Sequence, residues 1–496
     1  MSFQVLETTI EEVHKAYLSG ELSARQLVQA YLDRIAAYDK SGPSLNSILA
    51  INADALKEAD RLDAELKASG KLSGPLHGVP VVVKDQAETA GIKTTFGSIA
   101  VDNHIPAKDA TAVAQIKKAG AIILAKTTMP DFATSWFSYS SQSGTTKNPY
   151  DLARDPGGSS SGTGSSLAAN LGLVGIGEDT GGSIRLPGSF CSLVGIRVTP
   201  GLISRNGMSP LVVFQDTAGP MARTVKDAAI LLDSMVGYDP LDEYTSAFFI
   251  GRSDKKYSES ISKDSLSGAR IGVVREAFGD NSDPDCASVN KVIENSLELM
   301  KKAGAILVDV ELPNLMDYIV STSLYVTQGR SDMNGFFAKH PNFEYKTVEA
   351  IIEAKKYHPK LELLEAIAGG PSKPTDDPEF FPKLAEREKF QRAIVNAMAK
   401  ANVEALVYPT MRIVAPTHEE TDGDRWTVLN FPTNTLIAAQ AWLPAATVPA
   451  GATPAGLPVG LEMVGLPYGE AKLISLAYSF EQNSKLRVTP KSTPAL

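Results

Sequence analysis

Across residues 9–39 the apolar side chains Ile10, Val13 and Tyr17, then Leu27, Val28, Tyr31, Leu32 and Ile35, recur at spacings of three and four, interrupted at Gly20. That period predicts two helices, each with one face turned to a core. Residues 53–68 keep the helical period, but Lys57, Glu58, Asp60, Arg61, Asp63, Glu65 and Lys67 make that helix a solvated surface. At Gly74 the pattern changes. Short aliphatic runs at 79–83 and 122–125 flank a helical stretch at 110–119, the alternation of an α/β protein. Beyond residue 224, helices are predicted at 225–235 and 287–303, strands at 270–274 and 306–310, and core runs at 405–408, 445–448 and 459–464. Between them, 329–382 is polar, punctuated by proline and partly helical. It reads as a cap-like insertion, with a loop around Gly369, Gly370, Pro371, Pro374 and Pro378.

Length and composition narrow this further. The 496 residues allow about three domains or one large α/β domain. With 43% hydrophobic and 21% charged residues, the chain is globular rather than disordered. A formal charge of −9 argues against nucleic acid as a partner. Two cysteines, Cys191 and Cys286, are too few for a disulfide framework or a thiolate metal site and fit a reducing cytoplasm. Glu7, Glu11 and Glu12 without an apolar stretch argue against a signal peptide, and the longest apolar runs fall well short of the roughly 20 residues a membrane span needs.

Residues 138–219 are rich in Ser, Thr and Gly and carry few long charged side chains, as functional loops on a rigid scaffold do. Gly157 and Gly162 have the spacing of a phosphate-binding loop, but Thr163 stands where its lysine belongs. Gly175-x-Gly177 begins like a dinucleotide fingerprint, and Thr180 occupies the third glycine's place. Gly158-x-Ser160-x-Gly162 matches a nucleophile elbow, yet a proline-broken loop precedes it instead of a strand. Nor does any of the six histidines, 14, 77, 104, 340, 358 and 418, have a catalytic setting, although His418 stays open.

A helix predicted over 163–172, rising roughly 15 Å, and a strand over 173–177, spanning roughly 16 Å, return the chain antiparallel. Ser159 and Ser183, 24 positions apart, can therefore meet at one end of the sheet. Lys84 ends the run Val79-Pro-Val-Val-Val83, where desolvation would lower its pKa and make it a general base; alternatively it pairs with Asp85.

The runs Gly78-Val-Pro-Val-Val-Val-Lys-Asp85, Pro156-Gly-Gly-Ser-Ser160 and Asp179-Thr-Gly-Gly-Ser-Ile-Arg185, in this order, resemble the amidase signature family of serine hydrolases. Asn148-Pro149, Val194-Gly195, Gln215-Asp-Thr-Ala-Gly-Pro-Met-Ala-Arg223 and Gly456-Leu-Pro-Val-Gly-Leu461 extend the resemblance over nearly the whole chain. The N-terminal half is most similar to bacterial peptide-amidase-like members. The resemblance implies one α/β/α domain, 1–496, with a central mixed, twisted sheet covered by helices. Its parts are N-terminal helices 1–73, a core 74–225, a region 226–404 carrying the insertion, and 405–496 returning to the sheet.

For the chemistry, the resemblance implies a Ser-cis-Ser-Lys triad of nucleophile Ser183, bridging Ser159 and base Lys84. The backbone amides of Thr180, Gly181, Gly182 and Ser183 would form the oxyanion hole, with Ser160, Asp179 and Arg185 in support and neither metal nor organic cofactor. The chain departs from the common family pattern at Gln86, Ser161 and Glu178. Glu178 either adds negative potential near Lys84 or faces the far side of the sheet. Ser160 either assists proton traffic or hydrogen-bonds its loop. The expected substrate is a small-molecule amide, ester or carbamate, and the expected assembly a monomer or homodimer. The alternatives are a glutaminase-like subunit of a tRNA-dependent amidotransferase and a catalytically silent binding protein. Phe132, Trp136, Phe137 and Tyr139, with Trp426, Phe431 and Trp442, either line an apolar acyl or aryl pocket or are ordinary core.

Overall fold

Two capping boxes open the chain. Thr9 with Glu12 starts the helix Ile10–Ser19, and Ser23 with Gln26 starts Ala24–Tyr38, each pair satisfying backbone donors that the first helical turn leaves free. Gly20, left-handed at φ 75°, ends the first helix, as the sequence predicts. The computed structural model describes residues 3–496.

Behind these helices lies an eleven-stranded sheet. In chain order the strands are β1 Ile48–Ile51, β2 Pro80–Lys84, β3 Ile122–Thr127, β4 Val174–Asp179, β5 Val194–Arg197 and β6 Thr217–Ala222, then β7 Arg270–Val273, β8 Ile306–Asp309, β9 Ala405–Pro409, β10 Ala445–Ala452 and β11 Pro458–Val464. In space they run β1-β3-β2-β4-β6-β5-β10-β11-β9-β7-β8. The trios β3-β2-β4 and β9-β7-β8 are parallel, and the ladders joining them through the middle are antiparallel. This is the mixed sheet expected from the sequence. β2 through β6 are buried along their whole length, as strands covered by helices on both faces must be.

Three details differ from the sequence reading. The helix expected over 163–172 spans Ser161–Ala168, so it starts directly after the first serine loop. β4 runs two residues beyond 177, which makes Asp179 a strand residue paired with Thr217 rather than part of the glycine loop. β6, Thr-Ala-Gly-Pro-Met-Ala, was hidden by its glycine and proline, since neither belongs to the usual strand repertoire. The insertion carries the helices Val348–Glu353 and Glu362–Ala368, and Tyr325–Ala338 and Phe380–Ala401 overlap its two ends. Both cysteines are free and buried. Among the described residues no helix is long and apolar enough to cross a membrane.

A fully buried ion cluster joins β4, β5 and β11 to the helix Arg185–Phe190. Arg185 Nη2 lies 3.1 Å and Arg197 Nη1 2.9 Å from Asp179 Oδ1, and Arg185 also pairs with Glu462. Burial alone would raise the Asp179 carboxyl, but the two guanidiniums outweigh it and hold the group at about 2. Removing one partner from such a cluster leaves charges buried and uncompensated. Arg185→Met is therefore expected to destabilise the fold by about 3–5 kcal/mol, read as a lower urea midpoint with an unchanged m-value.

Candidate active site

Parallel pairing of β2 with β4, Val81 opposite Val174 and Val83 opposite Ile176, carries the C-terminal ends of both strands to one edge of the sheet. Lys84 ends the first strand, and the segment 180–183 follows the second. The first serine loop joins them there: the Ser160 amide donates to the Ser183 carbonyl at 3.2 Å, and the Gly158 amide to that of Trp136 at 2.7 Å. The Gly158–Ser159 peptide is cis.

Lys84 is 1% exposed, and its Nζ donates to Ser159 Oγ at 2.8 Å and to the Glu178 carbonyl at 3.3 Å. Burial lowers the ammonium pKa to about 8, although Glu178, Asp179 and Asp216 pull the other way. The alternative pairing with Asp85 is not found. Successive strand residues face opposite ways, and Asp85 accepts instead from the Thr95 hydroxyl and the Thr95 and Gly97 amides and forms an ion pair with Lys126 at 3.5 Å. Glu178 does reach Lys84: its Oε2 lies 3.7 Å from Nζ, without a hydrogen-bond partner of its own. Burial, with Asp216 nearby, raises the Glu178 carboxyl. Ser160 lies within 3.4 Å of the Glu178 backbone amide and carbonyl, a loop-holding contact.

The segment 180–183 is fixed from one side. Gln215 donates to the Thr180 carbonyl at 2.6 Å, Thr435 Oγ1 to the Gly181 carbonyl at 2.7 Å, and the Thr180 hydroxyl to Asp216 at 2.6 Å. Because a trans peptide points its N–H opposite to its C=O, the Gly181 and Gly182 amides face away from Gln215 and Thr435. Gly182 has φ 145°, and a Cβ there would sit 1.9 Å from Thr435 Oγ1. Asp179 Oδ2 accepts from the Ile184 amide at 3.2 Å, so the ion cluster also anchors the far end of the segment.

Ser183, 4% exposed, opens on a cavity of only about 10 Å³, room for little more than one water. Its walls include Trp136, Thr180, Leu211, Tyr325, Leu363 and Val428. Of the aromatics singled out in the sequence, Trp136 is in this wall, its indole donating to the Val428 carbonyl at 3.0 Å. The other six are packed elsewhere, Trp426 against Phe431. Phe132 lies on Phe337, Phe137 on Phe431, Tyr139 is stacked on His358 with its hydroxyl 2.6 Å from Asp422, and the Trp442 ring lies under Arg387. Leu211, Tyr325, Leu363 and Val428 carry no motif in the sequence, since a cavity wall contributed by distant segments leaves no local pattern. Asp216, within the run 215–223, is a further residue whose place only the fold reveals. No histidine bonds to a serine of either loop: His418 lies 3.9 Å from Asp155, His14 contacts the His77 carbonyl, and His104 and His340 meet Glu88.

A sheet of this order, with a buried lysine and two serine loops at one edge, fits an amide-hydrolysing enzyme. The Amidase family model matches residues 26–474, and the chain belongs to this family of amide-hydrolysing enzymes. It is similar to one subunit of the glutamyl-tRNA(Gln) amidotransferase of Carboxydothermus hydrogenoformans, 34% identical over 97% of this chain and 98% of that one. A probable amidase of Arabidopsis thaliana is 31% identical over 99% of this chain and 92% of its own. The native peptide amidase of Stenotrophomonas maltophilia superposes with a TM-score of 0.87 at 34% identity, covering 99% of both chains. If the tight fit at Gly182 is required, Gly182→Ala should cut amide hydrolysis at least about a hundredfold while circular dichroism stays native. Near-normal turnover in that variant would show that the segment can relax.

Proposed function

We propose that the chain cleaves linear carboxamides through an acyl-Ser183 intermediate. The observation that carries this reading is the 2.8 Å bond from Lys84 Nζ to Ser159 Oγ, in a place so dry that the ammonium pKa falls to about 8. Neutral Lys84 takes the proton of Ser159, and Ser159 takes that of Ser183 as its oxygen attacks the carbonyl carbon. The alkoxide is met by the backbone N–H groups of 180–183, whose orientation the Gln215 and Thr435 bonds support. The proton returns through Ser159 to the leaving nitrogen, and water then hydrolyses the acyl-enzyme. Among the described residues Ser159 Oγ bonds to Lys84 and not to Ser183, so the relay requires that contact to close in the substrate complex, as catalytic contacts loose in free enzymes often do.

The apolar and aromatic wall of Trp136, Leu211, Tyr325, Leu363 and Val428, once side-chain movement opens the small cavity, would favour an apolar or aryl acyl group. Similarity to the peptide amidase supports an amide of a peptide or acylated amino acid. Esters and carbamates are substrates of the same groups, because each presents a carbonyl with a displaceable heteroatom. A second reading, a glutaminase subunit working within a multi-subunit amidotransferase, is favoured by the 34% identity to the Carboxydothermus protein. Purified chain assayed without partners on a panel of amides, esters, carbamates and glutamine separates the two: turnover of glutamine alone, and only with added subunits, would favour the second.

Ser183→Ala should abolish hydrolysis with the fold intact, and a fluorophosphonate should add its mass at Ser183. Labelling at Ser160 would mean a different nucleophile. Ser159→Ala should cost roughly 10² to 10⁴ in turnover, and adding Lys84→Ala should bring little further loss because the groups act as one relay. Strictly multiplicative losses would mean that they act independently.

The pH profile has a definite sign. Lys84 is active when neutral, so kcat/KM should climb with pH through a limb centred near 8, the ammonium form dominating below it. Glu178→Gln removes a carboxyl that favours the ammonium, and the limb should move to lower pH. An unmoved limb would mean that Glu178 does not influence the base.

A further inference from the structure

Outside the serine loops, two of the chain's six histidines converge on one carboxylate. Glu88 Oε1 lies 2.8 Å from His104 Nε2 and 3.1 Å from His340 Nε2. One ligand atom from each residue falls within a sphere small enough for a single ion, all within 4.8 Å of one another. Glu88 and His104 sit in loops following β2, in the core. His340 follows the helix Tyr325–Ala338 and belongs to the cap-like insertion.

The donors and acceptors at His340 do not balance with a neutral ring. Its Nδ1 lies 2.9 Å from the Phe336 carbonyl and its Nε2 faces Glu88, so both nitrogens meet acceptors. A neutral imidazole has one N–H and one lone pair. With the proton on Nδ1, held by the carbonyl, the Nε2 lone pair points at a carboxylate oxygen, an arrangement that needs a positive charge between them. Nδ1–H bonded to a backbone carbonyl is also how a metal-binding histidine is commonly oriented.

The surroundings hold the three groups in place. His104 is stacked on Phe96 at 5.9 Å, and His340 is stacked on Phe343 at 4.5 Å. The backbone of Glu88 is tied on both sides, its amide to the Gly207 carbonyl and its carbonyl to the Ala110 amide, each at 2.8 Å. All three side chains are only 13–16% exposed. Glu88 and His340 form part of the wall of a cavity of about 450 Å³ that also contains Glu178, Asp216, Asp242 and Asp332, set against Arg205 and Lys339.

We propose that Glu88, His104 and His340 bind one divalent transition ion of the zinc class, which staples the insertion to the core. Two imidazoles and a carboxylate make a borderline-soft donor set suited to Zn²⁺ rather than Mg²⁺ or Ca²⁺, and the cavity leaves room for water as the fourth ligand. The inference does not depend on the serine mechanism.

The test titrates the chelator-dialysed full-length chain with Zn²⁺ by calorimetry and with Co²⁺ by visible absorption. The expected result is one Zn²⁺ per chain with a dissociation constant on the order of 1 µM or below. Saturating ion should raise the thermal midpoint by roughly 3 °C or more, and Co²⁺ should show the intense d–d bands of a four-coordinate site. His104→Ala and His340→Ala should each weaken binding at least about a hundredfold, whereas His358→Gln, outside the cluster, should leave it unchanged. Absence of stoichiometric uptake, or uptake indifferent to both cluster histidines, would overturn the proposal and leave the cluster bridged by a proton alone. The Co²⁺ spectrum of the unmodified chain decides the matter even where a variant fails to fold.

Discussion

An amine stripped of water is the constraint on which the rest of this site depends. Lys84 is buried because β2 lies inside the sheet between β3 and β4, with helices over both faces. Desolvation makes the ammonium unfavourable, while Glu178, Asp179 and Asp216 stop its pKa from falling much below about 8. The balance is poised rather than extreme. A lysine left in water would stay charged and accept no proton, and one buried without nearby carboxylates would stay neutral and return its proton too readily.

Rigidity around that amine comes from a second charged assembly. Asp179 is the last residue of β4 and the first point of support for the segment 180–183. The two arginines on its Oδ1 and the Ile184 amide on its Oδ2 hold it from three directions. Thr435 and Gln215 then take the carbonyls of the segment from outside. Preorganised amides of this kind stabilise charge without reorganising at the moment of reaction, which is where much enzymatic rate enhancement lies.

Much of the site could be read from the sequence because it is encoded locally. The valine run before Lys84 signals both a strand and the burial that follows from it, and the two glycine-serine runs bracket a helix and strand that return the chain to the same end of the sheet. The start of the helix Ser161–Ala168 was not legible, since Ser-Gly-Thr-Gly-Ser-Ser has poor helix propensity. Tertiary packing overrides it: at Gly162 a Cβ would lie 2.3 Å from the Ser47 carbonyl oxygen and 2.4 Å from the Thr128 nitrogen. The cavity wall was not legible either. Phe132, Phe137, Tyr139 and Trp442 are as aromatic as Trp136, and nothing in the local sequence says which of them turns toward Ser183. Glu178 stood out only as a departure from a pattern; its distance to Lys84 gives the departure a physical meaning.

The origin of the cavity wall has a consequence for how such an enzyme changes over time. Lys84, Ser159 and Ser183 lie within the first 183 residues, at the C-terminal ends of β2 and β4 and the loops beside them. Tyr325, Leu363 and Val428 reach the same cavity from peripheral helices and loops far along the chain. Substitutions, insertions and deletions in that later half can therefore reshape what fits against Ser183 while the geometry of the three proposed reactive groups is kept. New substrate preferences can arise in a region whose changes leave the strands and loops around Lys84, Ser159 and Ser183 in place.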